Sequence, residues 1–331
     1  MPPVGEMFRE IRFIEYTERP EKVKKIIIIF IVSILLIAVC IGRCNRAGDY
    51  VDDSEVLTLF ETEEVLPRDK EEPLPSKIAE VPAAEIVKMM DDKPSRIIRR
   101  LAYTVSYNSD TRCANWVAWY LSKDHVDGPY PRRGVPYLDE NGDVCGIGKL
   151  SKNAIRGSYI EDMEIGEPRQ HLMDWVGNEY EMSHGHLCPA GDNKWSREAM
   201  NQSFLLTNMC PQDESLNNGA WRTLEENCRS WASKHGDLFI VAGPLYLEEE
   251  RRTIGAGKIA VPDAFFKVIL CVENNPKGIG FVYPNALPSG SRADFVRTID
   301  EVEDIAAMDF FPEMPDEIEN ELEAVANLNE W

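Results

Sequence analysis

The strongest pattern along the chain is at its start. Ile26 to Gly42 reads IIIIFIVSILLIAVCIG, an apolar run of 17 residues with no charged side chain. About 20 residues at 1.5 Å each cross the hydrocarbon of a bilayer, so this run is at the short end of a spanning helix. A core helix keeps a polar face, and this stretch has none. One transmembrane signal-anchor helix is therefore predicted over 26–42, behind a short cytoplasmic segment over 1–25. Lys22, Lys24 and Lys25 precede the run and place the N-terminus inside and the body outside. Arg43 and Arg46 work against that orientation. A cleaved signal peptide fits less well, because the polar lead is long and no small-x-small site follows. A lipoprotein reading of Cys40 and Cys44 is opposed by Val39 and Arg43.

Residues 43–95 change character. They are acidic and carry Pro67, Pro73, Pro75, Pro82 and Pro94, the composition of a linker, with a short helix around Ala83 to Met90. The folded body is expected over 96–316. Leu101 to Tyr107 alternates as a strand. Asn115 to Ser122 fits either a short helix or a buried extended run. Asp237–Leu245, Phe265–Val272 and Gly278–Tyr283 read as strands, and Asp294–Met308 as a helix. Trp221, Leu224, Cys228 and Trp231 recur at steps of three and four, which predicts a helix over Asn217 to Lys234. Strands and helices do not alternate regularly, so the fold class is α+β, a mostly antiparallel central sheet flanked by helices. The tail, 317–331, places Ile318, Leu322, Val325 and Leu328 on one face and acids on the other, a peripheral amphipathic helix.

The formal net charge of -21 argues against an overall electrostatic grip on nucleic acid. Much of the acid, however, falls in 49–85 and 313–330. The middle of the chain carries Arg132, Arg133, Lys194, Arg197, Arg222 and Arg229. Cys113, Cys145, Cys188, Cys210, Cys228 and Cys271 are an even set that permits disulfides in an oxidising space. Buried free thiols are the alternative.

The chemistry concentrates in two blocks. The chain has 5 histidines, and two of them stand one residue apart in Ser183-His184-Gly185-His186-Leu187-Cys188-Pro189-Ala190-Gly191-Asp192. The second block runs Thr207-Asn208-Met209-Cys210-Pro211-Gln212, then Leu216-Asn217-Asn218-Gly219-Ala220-Trp221-Arg222-Thr223-Leu224-Glu225. An imidazole can hold a lone pair near neutral pH for an attacking water. A neutral amide ligand such as Asn217 leaves a metal ion's charge undiminished, and few protein ligands with several waters is how Mg²⁺ prefers to bind. One helix carrying Asn217, Glu225 and Arg229 offers an amide, a carboxylate and a guanidinium to one cleft. The ordinary alternatives are an Asn helix cap and a Glu-Arg surface pair. A zinc site from His184, His186 and Cys188 lacks a compact second pair of ligands. Trp195 is a candidate for stacking on a base, and Trp221 for core packing.

These blocks, with Asn115-Trp116-Val117-Ala118, Gly243-Pro244-Leu245-Tyr246 and Phe310-Phe311-Pro312, resemble the DNA/RNA non-specific endonucleases, the ββα-metal family. The resemblance covers nearly the whole body and not the N-terminal hundred residues. It implies a ββα-metal nuclease fold over 96–316 and an endonuclease that hydrolyses DNA and RNA without strong sequence preference, anchored to a membrane here by the helix expected over 26–42. By motif position it implies His186 as the general base. It implies Asn217 as the ligand of a hydrated Mg²⁺ (Mn²⁺ substituting), Glu225 acting on that ion through water, and Arg229 as a phosphate contact. Arg132 or Arg133 matches a further arginine of the family. Lys194, Arg197 and Arg222 are additional candidates for phosphate contacts. The expected placement is a single-pass membrane protein with an extracytoplasmic catalytic domain.

The sequence departs from the family at Ser183-His184, which stand where the family has Asp-Arg. His184 is expected to replace part of the arginine's role, with Ser183 as its hydrogen-bonding partner. The alternative is a catalytically inactive nucleic-acid-binding or envelope interaction protein of the same fold.

Overall fold

Cys113–Leu121 is buried at every one of its 9 positions. A strand covered on both faces shows no polar side, which is why CANWVAWYL reads as continuously apolar. The extended alternative for this stretch is thus the one that forms. A computed structural model describes residues 77–130, 135–138, 144–148, 159–178, 180–273 and 275–331. Residues 26–42, Arg132 and Arg133 lie outside the described residues, as does most of the acidic segment. Among the described residues, no helix is long and apolar enough to cross a membrane.

In chain order the strands are β1 (Val87–Met89), β2 (Arg96–Arg99), β3 (Thr104–Asn108), β4 (Cys113–Leu121), β5 (Val135–Leu138), β6 (Val144–Gly148), β7 (Ser183–His186) and β8 (Met209–Gln212). They continue as β9 (Leu238–Leu245), β10 (Thr253–Ile254), β11 (Ile259–Ala260), β12 (Ala264–Cys271), β13 (Lys277–Pro284), β14 (Val296–Arg297) and β15 (Met308–Phe310). The α-helices are α1 (Lys77–Glu80), α2 (Lys123–Val126), α3 (Arg197–Gln202), α4 (Glu214–Leu216), α5 (Arg222–His235), α6 (Ile299–Ala306) and α7 (Asp316–Glu323).

Seven strands form the central sheet in the order β14-β13-β12-β9-β4-β3-β2, with every pairing antiparallel. Successive side chains on a strand point to opposite faces, and β12 uses both. Phe265 and Lys267 face α5 and the turn before it, where Trp221 packs 5.6 Å from Phe265 between ring centroids. Phe266 faces the other layer and packs 5.5 Å from Phe310 of β15. β13 repeats the split. Phe281 stacks on Trp231 of α5, while a Cβ at Gly280 would meet Val302 of α6 at 2.6 Å. The fold is therefore a helix–sheet–helix sandwich of the α+β class.

The N-terminal edge of the body lies upstream of residue 96. Only Ala83–Glu85 of the expected short helix is helical, as a single tight turn. Val87–Met89 instead pairs with Met308–Phe310. Ile78, Ile86 and Val87 are buried in the main core, so 77–89 belongs to the folded unit that spans Glu72–Trp331. The tail is not peripheral either. Leu322 and Glu323 of α7 are buried, and Trp331 packs 5.1 Å from Trp231. The helix expected from Asp294 is shorter. Thr298 and Glu301 form a capping box that starts α6 at Ile299, and 296–297 becomes an edge strand. Cys113, Cys188, Cys210, Cys228 and Cys271 are all buried free thiols.

Candidate active site

The two motif blocks fold as a β-ribbon followed by a helix. β7 and β8 pair antiparallel with Ser183 opposite Gln212, Gly185 opposite Cys210 and His186 opposite Met209. A side chain at Gly185 has no room, because its Cβ would sit 2.5–2.8 Å from the Gln212 side chain. Asn208 ties the blocks together. Its Oδ1 accepts from Cys188 N at 2.9 Å, and its Nδ2 donates to Cys188 O at 2.9 Å and to Ser203 O at 2.8 Å.

The helix start decides how Asn217 is used. Asp213, not Asn217, caps it, accepting from Ser215 N at 2.9 Å and Leu216 N at 3.2 Å. Asn217 lies inside the helical turn with φ -57° and ψ -48°. A wide turn over Asn217–Trp221, broken at Gly219, then leads into α5. The capping alternative for Asn217 is thus excluded, and its amide is available for other work. Asn217 Nδ2 donates to Ser183 Oγ at 3.0 Å, and Ser183 Oγ donates to Gln212 O at 2.9 Å. The hydroxyl proton is committed to the backbone, so the hydroxyl offers the amide a lone pair. This fixes the amide with its nitrogen toward Ser183 and its Oδ1 on the other side. At the other end of the ribbon, Trp221 Nε1 donates to His186 O at 3.3 Å. His186 and Asn217 are therefore held in one ββα unit.

His184 occupies an aromatic slot. Tyr159 stacks on one face and Trp175 on the other, each with centroids 3.9 Å apart. Burial pushes the imidazole down to about 3. It is neutral at physiological pH, and its Nε2 has no hydrogen-bond partner among the described residues. His184 therefore cannot supply the fixed positive charge of an arginine. The hydrogen bond expected between Ser183 and His184 also does not form, since adjacent strand residues face opposite ways and Ser183 is used by Asn217. His186 lies on the same face as His184, edge-on to Phe204 at 5.3 Å.

Arg229 is committed elsewhere. Its NH1 donates to Asp192 Oδ1 at 2.8 Å, and Trp119 Nε1 donates to Asp192 Oδ2 at 3.0 Å. Burial lowers the pKa of this guanidinium, but the Asp192 carboxylate outweighs that and raises it. The guanidinium thereby forms an ion pair that pins α5 to the first motif block. Glu225 is half-buried on α5, close enough to raise the pKa of the buried Cys188 and Cys228 thiols further. Arg222 makes the surface i,i+4 pair, with Glu226 at 3.0 Å. Arg197 is exposed and lies over the Tyr130 ring at 5.4 Å. Lys194 is half-buried. Trp195 stacks on His125 at 4.7 Å, which uses one of its faces in packing.

His184, His186 and Cys188 do not gather as metal ligands: among the described residues, the one group of three or more His, Cys, Asp or Glu that converges is elsewhere. Asn217 and Glu225 do suit a hydrated Mg²⁺, which keeps most of its water and takes only one or two protein oxygens. Four contributors escaped the sequence reading. Asp192 lies in the first block, yet only the fold brings Arg229 to it. Gln212 is 1% exposed and backs Gly185. Tyr159 sits in irregular chain and Trp175 ends a short 3-10 turn, Leu172–Trp175, and nothing in the sequence links them to His184.

The sequence model described as DNA/RNA non-specific endonuclease matches residues 83–317. The chain is 29% identical over 228 residues to "Nuclease EXOG, mitochondrial" of Mus musculus, covering 64% of this chain and 56% of that protein. It is 40% identical over 144 residues to "Nuclease 1, mitochondrial" of Schizosaccharomyces pombe, covering 38% and 44%. The match to human "Endonuclease G, mitochondrial" is 28% over 180 residues, covering 52% and 53%. The chain thus spans about half the length of these relatives. Among solved structures, it resembles a chain of the EndoG/EndoGI complex with a TM-score of 0.56 and 24% identity, over 67% of this chain and 88% of that one. That likeness shows a shared fold.

Proposed function

Because this chain belongs to the DNA/RNA non-specific endonuclease family, we propose that it hydrolyses phosphodiester bonds of DNA and RNA without strong sequence preference, aided by a divalent metal. The observation that carries this reading is the oriented amide of Asn217, fixed by Ser183 in the same ββα unit as His186. His186 takes a proton from the attacking water. Asn217 Oδ1 would hold Mg²⁺, or Mn²⁺ in its place, and Glu225 would accept hydrogen bonds from the ion's waters. The ion supplies positive charge where charge builds on the phosphoryl oxygens. Arg229 acts by holding α5, and with it Glu225, against Asp192. Arg197, Lys194 and Arg222 are the candidates for steering phosphate, along with Arg132 and Arg133.

Residues 26–42 anchor the protein in a membrane by one helix, and the lysines before that run favour an extracytoplasmic body. The curated relatives named above carry mitochondrial names, so the compartment facing the body is a separate question for fractionation and protease protection.

One observation favours a second reading, a nucleic-acid binder without activity. The neutral His184 does not replace the positive charge of the family's arginine. The test incubates the full chain with plasmid and with RNA, in Mg²⁺ and after EDTA. Metal-dependent loss of both substrates supports the enzyme. Salt-sensitive binding with no cleavage supports the binder.

A further inference from the structure

Away from the ribbon, three carboxylates converge where α6 meets the end of α7. One oxygen from each of Asp300, Glu303 and Glu323 lies within 4.8 Å of the others. Asp300 is exposed and Glu303 half-buried, while Glu323 is 3% exposed. Glu323 Oε1 is buried with no hydrogen-bond partner among the described residues. A buried carboxylate oxygen without a donor is costly, and mutual repulsion within the cluster adds to that cost. The surroundings do not relieve it. Glu303 Oε1 accepts one backbone bond, from Phe310 N at 2.6 Å. Asp309 and Glu319 add negative charge. Lys88, the cation near them, is engaged with Asp309 at 3.3 Å on the exposed side.

We propose that Asp300, Glu303 and Glu323 form a second cation site, distinct from the nuclease centre, that takes a hard divalent ion, Ca²⁺ by its donor set. The donors are oxygen only, which disfavours zinc and copper. Ca²⁺ accepts six to eight oxygens in flexible geometry, whereas Mg²⁺ demands a near-ideal octahedron and sheds water reluctantly. Exposed Asp300 leaves one side open for waters to complete the shell. The ion gives Glu323 Oε1 the partner it lacks. It also joins α6 to α7 and so holds the tail whose Trp331 packs on Trp231 of α5.

The test titrates the full chain with Ca²⁺ alone by calorimetry, beside Asp300→Asn and Glu323→Gln. Thermal unfolding and proteolysis of the tail are followed in parallel. The expected results are Ca²⁺ binding, a raised Tm and slower cleavage near the C-terminus. Asp300→Asn, an exposed change that leaves packing intact, should weaken that binding by about tenfold or more. Glu323→Gln should abolish the stabilisation. If wild type takes up no Ca²⁺ at millimolar concentration, or if Asp300→Asn binds it as wild type does, the site does not exist.

Discussion

Arg229→Ala separates a strut from a phosphate contact. In the native fold the guanidinium is 18% exposed and faces Asp192, which is 1% exposed. Removing Arg229 leaves the Asp192 carboxylate buried with the Trp119 indole as its remaining side-chain donor among the described residues. Breaking one side of a buried pair costs about 3–5 kcal/mol, much of it the stranded charge. For a body of this size each kcal/mol moves Tm by about 2–4 °C, so a fall on the order of 10 °C is expected. Arg229→Ala with Asp192→Asn removes the stranded charge and should recover part of the loss, giving a coupling energy of more than about 1 kcal/mol. The assay is thermal and urea unfolding of the four proteins of this cycle. A Tm within 2 °C of wild type for Arg229→Ala, together with a raised KM for DNA, would refute the strut and restore the phosphate contact.

Ser183→Ala takes the lone pair from the Asn217 amide. It should raise the Mg²⁺ concentration for half-maximal cleavage by about 2–10-fold, from the ~0.5–1.5 kcal/mol of one hydrogen bond, with Ser183→Thr rescuing. His184, pushed down to about 3, carries a folded pKa below its unfolded value near 6.5, so the unfolded chain binds the extra proton between them. The stability it contributes is full above about 6.5 and is lost as pH falls toward 3. His184→Phe, which keeps the stack, should lose less stability than wild type between pH 7 and 4 in urea titrations. Gly185→Ala drives a methyl into the Gln212 side chain and should cost about 1–3 kcal/mol in unfolding free energy.

The sheet was largely legible because its strands are apolar on both faces and long: β9, β12 and β13 were marked within a residue or two. The edges were not. Val87–Met89 is too short and too polar to register as a strand, and it exists because Phe310 and Met308 pair with it. The tail was read as peripheral because its acids dominate, although Leu322 and Trp331 are what the body buries. In the site, the resemblance to the family singles out His186, Asn217 and Glu225. The partners that set their behaviour are contacts across long loops: Ser183 with Asn217, Asp192 with Arg229, and Tyr159 and Trp175 around His184. The i,i+4 spacing read from the sequence is Glu225 with Arg229; the i,i+4 ion pair found on α5 is Arg222 with Glu226, and Arg229 reaches Asp192 instead.

The most direct measurement is cleavage of supercoiled plasmid by the full-length chain in Mg²⁺ and in EDTA, wild type beside His186→Ala, with both proteins shown to unfold at the same temperature. The account predicts nicking by wild type that stops on chelation and falls by at least about a hundredfold in the variant, the range of a lost general base. Cleavage by His186→Ala at the wild-type rate would contradict it and move the chemistry away from the ribbon.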